Sequence, residues 1–201
     1  MFADATTFLT YNQNMRQLVF DKLKSAELVV FNRCSRDFDK MAFHKIVRAA
    51  NRRSQILYEY GKDDVELDQI PDPLPFDLNA PVVKIGDDAY AEWYRDINEE
   101  QEKYDGKVLQ VKGRSVLGGG LPPDKFVFGR HVMTCCVEDI QFAGLVCHWK
   151  GAEKTLEHGG WVTITAQVRI QYDEMYGEKG PVLICSQVSE AEEAVPEVAQ
   201  F

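Results

Sequence analysis

The sequence predicts a chain of mixed class: a partial parallel, doubly wound α/β sheet at the front and a small OB-like five-stranded β-barrel behind it. Three observations lead there. Residues 14–60 run helix, strand, helix, strand with short links, an order that requires crossover connections in a parallel sheet. Residues 61–81 shift to Asp, Glu and four prolines, Pro71, Pro73, Pro75 and Pro81, which sustain neither helix nor central strand. After Tyr104-Asp105-Gly106 the apolar period changes from about 3.6 to about 2 residues. The expected division is 1–62 for the α/β portion, 63–86 for a Pro/Asp-rich linker and 87–201 for a helix followed by the barrel.

Each element has its own reason. Met15, Leu18, Val19 and Leu23 fall on one face of a helix over 14–26, because three- and four-residue spacing stacks side chains on one stripe. Leu28–Phe31 is a short, wholly apolar strand, the kind a parallel sheet buries on both faces. Asp39 suits the N-cap of a second helix carrying Phe43, Ile46, Val47 and Ala50, with Arg52-Arg53 at the end the helix dipole favours for cations. Gln55–Tyr60 is the next strand. Val82–Ile85 is a short strand, and Asp87 is a candidate cap for a helix reaching about Lys103 with Ala89, Trp93 and Ile97 inward. Five β candidates follow: 107–116, 125–136, 142–149, 161–172 and 181–190. In the fourth, Val162, Ile164, Ala166, Val168 and Ile170 alternate with Thr163, Thr165, Gln167, Arg169 and Gln171, so one face is wet. Glycines at 113, 129 and 144 suit the bends of a small closed Greek-key barrel.

Composition narrows the function classes. Of the net charge of −9, residues 1–80 contribute −1 (11 basic, 12 acidic) and residues 81–201 contribute −8 (12 basic, 20 acidic). An acidic second half repels phosphate backbones and argues against nucleic acid as a partner. The five cysteines, an odd set without a spaced framework, fit a reducing cytoplasmic setting. The apolar runs are far below the ~20 residues of a membrane helix. Neither G-x-x-x-x-G-K-S/T nor G-x-G-x-x-G occurs, so the backbone N–H cradles that hold phosphates are missing. Leu28 to Arg33 nevertheless ends a buried strand in an Asn-basic pair, where nucleotide-binding α/β sheets place base-reading groups. Asn32 also reads as a simple turn former at a strand end.

Residues 1 to about 60, with Asp4-Ala5, a helix, and Ala26-Glu27-Leu28-Val29-Val30-Phe31-Asn32-Arg33, resemble the CobW-like GTPases (CobW/HypB/UreG-type), a branch of P-loop GTPases tied to metal-cofactor assembly and metal homeostasis. That resemblance implies a P-loop-type sheet, GTP with Mg²⁺ in the complete protein, and a cofactor edge of Asn32, Arg33 and Ser35. Asn32 would contact guanine and Arg33 would lie along base or ribose. Ser35 stands where the family has Asp and Arg33 where it has Lys. Leaving the guanine N1 and N2 donors without that carboxylate costs about 1–3 kcal/mol, which weakens guanine selectivity. Asp37 is a substitute two residues on.

Residues 104–201 resemble the C-terminal domain of YcgQ-type proteins, partners of permeases. The resemblance rests on Tyr104-Asp105-Gly106-Lys107, Val111-Lys112-Gly113, the block from Phe128 to Asp139 with its Arg-x-x-x-x-Cys-Cys-x-x-Asp, and Trp161-Val162. Such a domain stands behind CobW-like modules in clostridial-type proteins, with a segment like Asp88-Ala89-Tyr90-Ala91-Glu92-Trp93-Tyr94 between them. The whole chain is then expected to be the C-terminal part of a CobW-like GTPase fused to this domain, without its phosphate loop and inactive by itself. A metal-client protein or permease-associated partner follows from the resemblance, as does a guanine nucleotide once the front half is supplied. An incomplete parallel sheet is also expected to self-associate.

Cys135, Cys136 and Asp139, with His131 and Cys147-His148 nearby, are candidate ligands for zinc or another soft divalent metal. Without C-x-x-C spacing the bland alternative is one cysteine in the core and one at the surface. Arg130 and Asp139 are expected to form a structural ion pair, and His44 and His158 to be exposed bystanders. The rival function is a non-enzymatic metal- or protein-binding module built on the barrel.

Overall fold

A computed structural model describes residues 1–201 except 135–136, 151 and 153–155. It divides into one unit of residues 1–73 with 134–139 and another of 74–133 with 140–201. The fold is mixed α/β with two separate sheets.

In the first unit, β1 (Phe2–Asp4), β2 (Leu28–Asn32) and β3 (Gln55–Gly61) are parallel, and β4 (Asp64–Leu67) returns antiparallel along β3. β4 lies in the stretch where a linker was expected. Its four residues are all exposed, so it carries no buried apolar pattern to announce it. Asp63, in the left-handed region at φ 62°, makes the reversal. A further helix, α1 (Ala5–Asn14), precedes the one expected over 14–26, which is α2 (Arg16–Lys24), with the break at Met15. The first has Phe8 as its one buried residue, which is too little for a visible stripe. Its start is written instead in the cap: the Asp4 carboxylate accepts the Thr6 N–H at 2.9 Å and the Thr6 hydroxyl at 2.6 Å. α3 (Lys40–Ala50) begins at the expected Asp39, whose side chain accepts the Ala42 N–H at 3.2 Å.

All three helices pack on one side of the sheet. Phe8, Val19, Leu23, Phe43 and Val47 share a core with Val29, Phe31, Ile56 and Tyr58, and register pairs Val29 with Ile56 and Phe31 with Tyr58. Phe31 makes edge contacts with Phe8 and Phe43 at 4.8 and 4.9 Å, geometry that adds to area burial. The opposite side carries Phe2, Val30, Leu57 and Leu67 in one cross-strand row, with Phe2 76% exposed.

The second unit opens with β5 (Val83–Lys84) and α4 (Tyr90–Glu99), the latter between 3-10 turns at Asp87–Ala89 and Gln101–Tyr104. The expected inward residues Ala89, Trp93 and Ile97 are buried. Asp87 is not the helix cap; its carboxylate instead accepts Lys112 Nζ at 2.9 Å and the Val195 N–H at 3.2 Å. Then come β6 (Val108–Val116), β7 (Lys125–Met133), β8 (Gln141–His148), β9 (Trp161–Asp173) and β10 (Glu178–Glu190). They join in the cyclic order β6-β7-β8-β10-β9 and back to β6. Every pairing in this ring is antiparallel except β8 with β10. β5 extends the sheet beside β6, and β11 (Ala199–Gln200) beside β7. The alternation in β9 places Val162, Ile164, Ala166 and Val168 inside, packed with Trp93, Phe126, Phe128 and Leu183.

Candidate nucleotide-binding edge

The C-terminal ends of β1 and β2 are neighbours, with Asp4 in register with Asn32. This is the end of a parallel sheet where ligands of α/β folds collect. Beyond it the chain turns sharply because Arg33 adopts the left-handed region at φ 56°, a conformation that a non-glycine residue holds at a cost and that clusters at functional sites. Cys34 then anchors the turn. Its N–H donates to the Glu59 carbonyl at 2.9 Å and its thiol to the Phe31 carbonyl at 3.2 Å, and burial pushes the thiol pKa up, which makes it an inert structural group.

Asp4 serves two partners at once. One oxygen caps α1 through Thr6, and the other meets Arg33 Nη1 at 2.7 Å. The Thr6 hydroxyl and the Thr6 N–H, with a lesser contribution from the Arg33 guanidinium, hold its carboxyl below the usual value against the opposing effect of burial. Arg33 remains largely exposed, with its side chain at 73%, while Asn32 is half-buried. The Asn32 carboxamide oxygen is buried and has no hydrogen-bond partner among the described residues, so it is an acceptor available to a ligand donor.

Ser35 is exposed and hydrogen-bonds Asp37, whose carboxyl that bond lowers. The position that lacks a carboxylate therefore has one tied to it from two residues on. Arg36 stacks on Tyr60 at 4.1 Å and pairs with Asp64. The structure thus joins Asp4 to Asn32 and Arg33, and brings Ser35 to Asp37. Arg36 was missed by sequence reading, and its only signal there was a third basic or polar residue after the strand.

Other expectations change. His44 is no exposed bystander: it is 3% exposed, with Nδ1 2.7 Å from Asp68 Oδ2. Tyr58 donates to the second Asp68 oxygen at 3.1 Å, and Arg48 lies 3.6 Å from the first. Arg130 is buried, but its guanidinium donates to the carbonyls of Asp87, Pro196 and Glu197 and not to the expected Asp139. Asp139 caps its own turn, accepting the Thr134 N–H at 3.0 Å.

Cys135 and Cys136 lie outside the described residues. Among the described residues no group of three or more His, Cys, Asp or Glu side chains could hold a metal ion. Cys147 and His148 diverge: the Cys147 thiol is buried and raised well above its usual value by burial and by Cys185, while His148 Nε2 sits 3.5 Å from Asp173. His131 packs edge-on against Phe142 at 5.5 Å.

A model of the DUF1980 C-terminal domain matches residues 63–197. The chain belongs to that family. Of the described elements, β4 to β10 and α4 fall inside the matched range, and β1 to β3 precede it. A search of curated proteins finds no match. Among the described residues of this DUF1980 chain, no helix is long and apolar enough to cross a membrane.

Proposed function

We propose that the first unit is the base-recognition portion of a CobW-like GTPase fold, and that the complete protein uses it in metal handling. The observation that carries this reading is the edge itself: parallel β1 and β2 end together in Asp4 and Asn32, with the Asn32 oxygen buried and unpartnered beside a left-handed Arg33. Asn32, Arg33 and the Ser35–Asp37 couple suit the base and ribose half of a guanine nucleotide. The phosphates and Mg²⁺ have no cradle in this sequence, so they require a phosphate loop from outside these residues. When bound, GTP would supply the free energy of hydrolysis; the residues here would select and orient its base.

The test is NMR titration of the chain with guanosine and with GDP. Binding at about millimolar strength that shifts the Asn32 and Arg33 signals, and is lost in Asn32→Ala, supports the reading. Signals that stay fixed with both ligands defeat it.

A second reading has a specific support, the family match that covers mainly the second unit. In it the five-strand ring is an OB-type barrel serving as a non-enzymatic metal- or protein-binding module. The cyclic strand order with a single parallel pair, β8 with β10, supports the OB assignment. Zinc titration with thiol accounting separates the two readings: stoichiometric zinc lost in Cys135→Ser and Cys136→Ser would make the module a metal site, with Asp139 as the third candidate ligand.

A further inference from the structure

The second unit holds a cavity of about 450 Å³, within the range of small-molecule sites. It opens where β9 starts and β10 ends, a junction fixed by the Ala191 N–H donating to the Trp161 carbonyl at 3.0 Å. Two indoles, Trp149 and Trp161, line it together with the apolar Leu156 and Val188. Among the described residues its charged lining is Glu157 and Glu190, and none of the lining residues is basic. Both glutamates are exposed, and among the described residues neither has an ion-pair partner.

These features select the charge of a ligand. An aromatic face attracts cations through its quadrupole, most strongly for indole. Trp161 already does so within the fold: the Arg114 guanidinium lies 4.8 Å and that of Arg130 5.8 Å from its ring. Arg114 is itself paired with Glu197 at 2.6 Å, which offsets its charge beside the cavity. Arg130 in turn lies 4.0 Å from the Asp87 carboxylate, so among the described residues the lining charge of the cavity is that of its two carboxylates over apolar walls. An anion would meet repulsion, and a neutral apolar molecule would leave the carboxylates idle.

We propose that this cavity binds a small organic cation, an ammonium group carried on an apolar body. The site lies in the second unit and does not depend on the nucleotide reading. Glu157 is held by its backbone, whose carbonyl accepts the Ser115 hydroxyl at 2.7 Å and the Gly160 N–H at 3.1 Å, so its carboxylate can be altered without disturbing the fold.

The experiment follows the indole N–H signals of the intact chain while choline, or its uncharged carbon isostere dimethylbutanol, is added. Trp93 is fully buried and does not line the cavity, so it is the internal control. Choline should shift the Trp149 and Trp161 signals saturably and leave Trp93 unchanged, with the isostere weaker by about fivefold or more. Glu157→Gln and Glu190→Gln should each weaken choline by about two- to fivefold with an unchanged melting temperature. Equal binding of the two probes, no saturable shift at either cavity indole, a Trp93 shift of the same size, or full affinity in both glutamine variants would overturn the proposal.

Discussion

Asp68 shows how much one residue can gather. His44, Tyr58 and Arg48 converge on a carboxylate whose side chain is 1% exposed, and Tyr58 has its pKa pushed up by burial and by Asp68. Removing the hub strands buried polar groups. Asp68→Ala should therefore cost the first unit about 3 kcal/mol and Tyr58→Phe about 1 kcal/mol, read as shifts in urea midpoint. In the second unit, Asp173 is 2% exposed at its side chain and pairs with Lys125 at 2.7 Å. Burial alone would raise its carboxyl, but the Lys125 and Met175 hydrogen bonds outweigh it and leave the pKa lowered. A depressed folded value means the unfolded state binds the proton first. The stabilisation is thus present above about pH 4 and lost as pH falls through the folded value. Lys125→Met should flatten that acid limb in urea midpoints measured across the acid range.

At the scale of elements, legibility followed local pattern. The alternation in β9 and the cap at Asp39 could be read from neighbouring letters because side-chain direction and capping are set within a few residues. α1 and β4 escaped, since one buries a single residue and the other none. Gly129 faces Gly144 across β7 and β8, and a Cβ there would run into the Ala143 carbonyl and approach Gly144 Cα to 2.7 Å. The obstacle is backbone, which cannot swing aside. Gly129→Ala should lower stability by about 2–3 kcal/mol, seen as a lower melting temperature of the intact chain.

For the whole molecule, charge decides more than shape. At −9 overall, with the excess in the second half, a five-strand ring does not by itself make a nucleic-acid binder. Single-stranded DNA should bind more weakly than about 100 µM at physiological salt by fluorescence anisotropy. Salt-sensitive binding tighter than that would count against the acidic-surface argument.

The sequence by itself determined the mixed class, most element positions, the inward residues of α4 and β9, and the missing phosphate loop. These are local properties: periodicity, capping and motif spacing need no knowledge of distant residues. A closed set of five strands was expected; tertiary structure decided the pairings within it, β6 on β7 and the parallel β8–β10 pair, and the charge partners. Arg130 chose the Asp87 carbonyl 43 residues away, and His44 chose Asp68 at a separation of 24. Spacing along a chain cannot rank such pairs, because burial selects whichever acceptor the packed backbone delivers. The same holds at the candidate edge, where the residues were legible but the buried oxygen of Asn32 and the Asp4–Arg33 pair exist only once β1 lies beside β2.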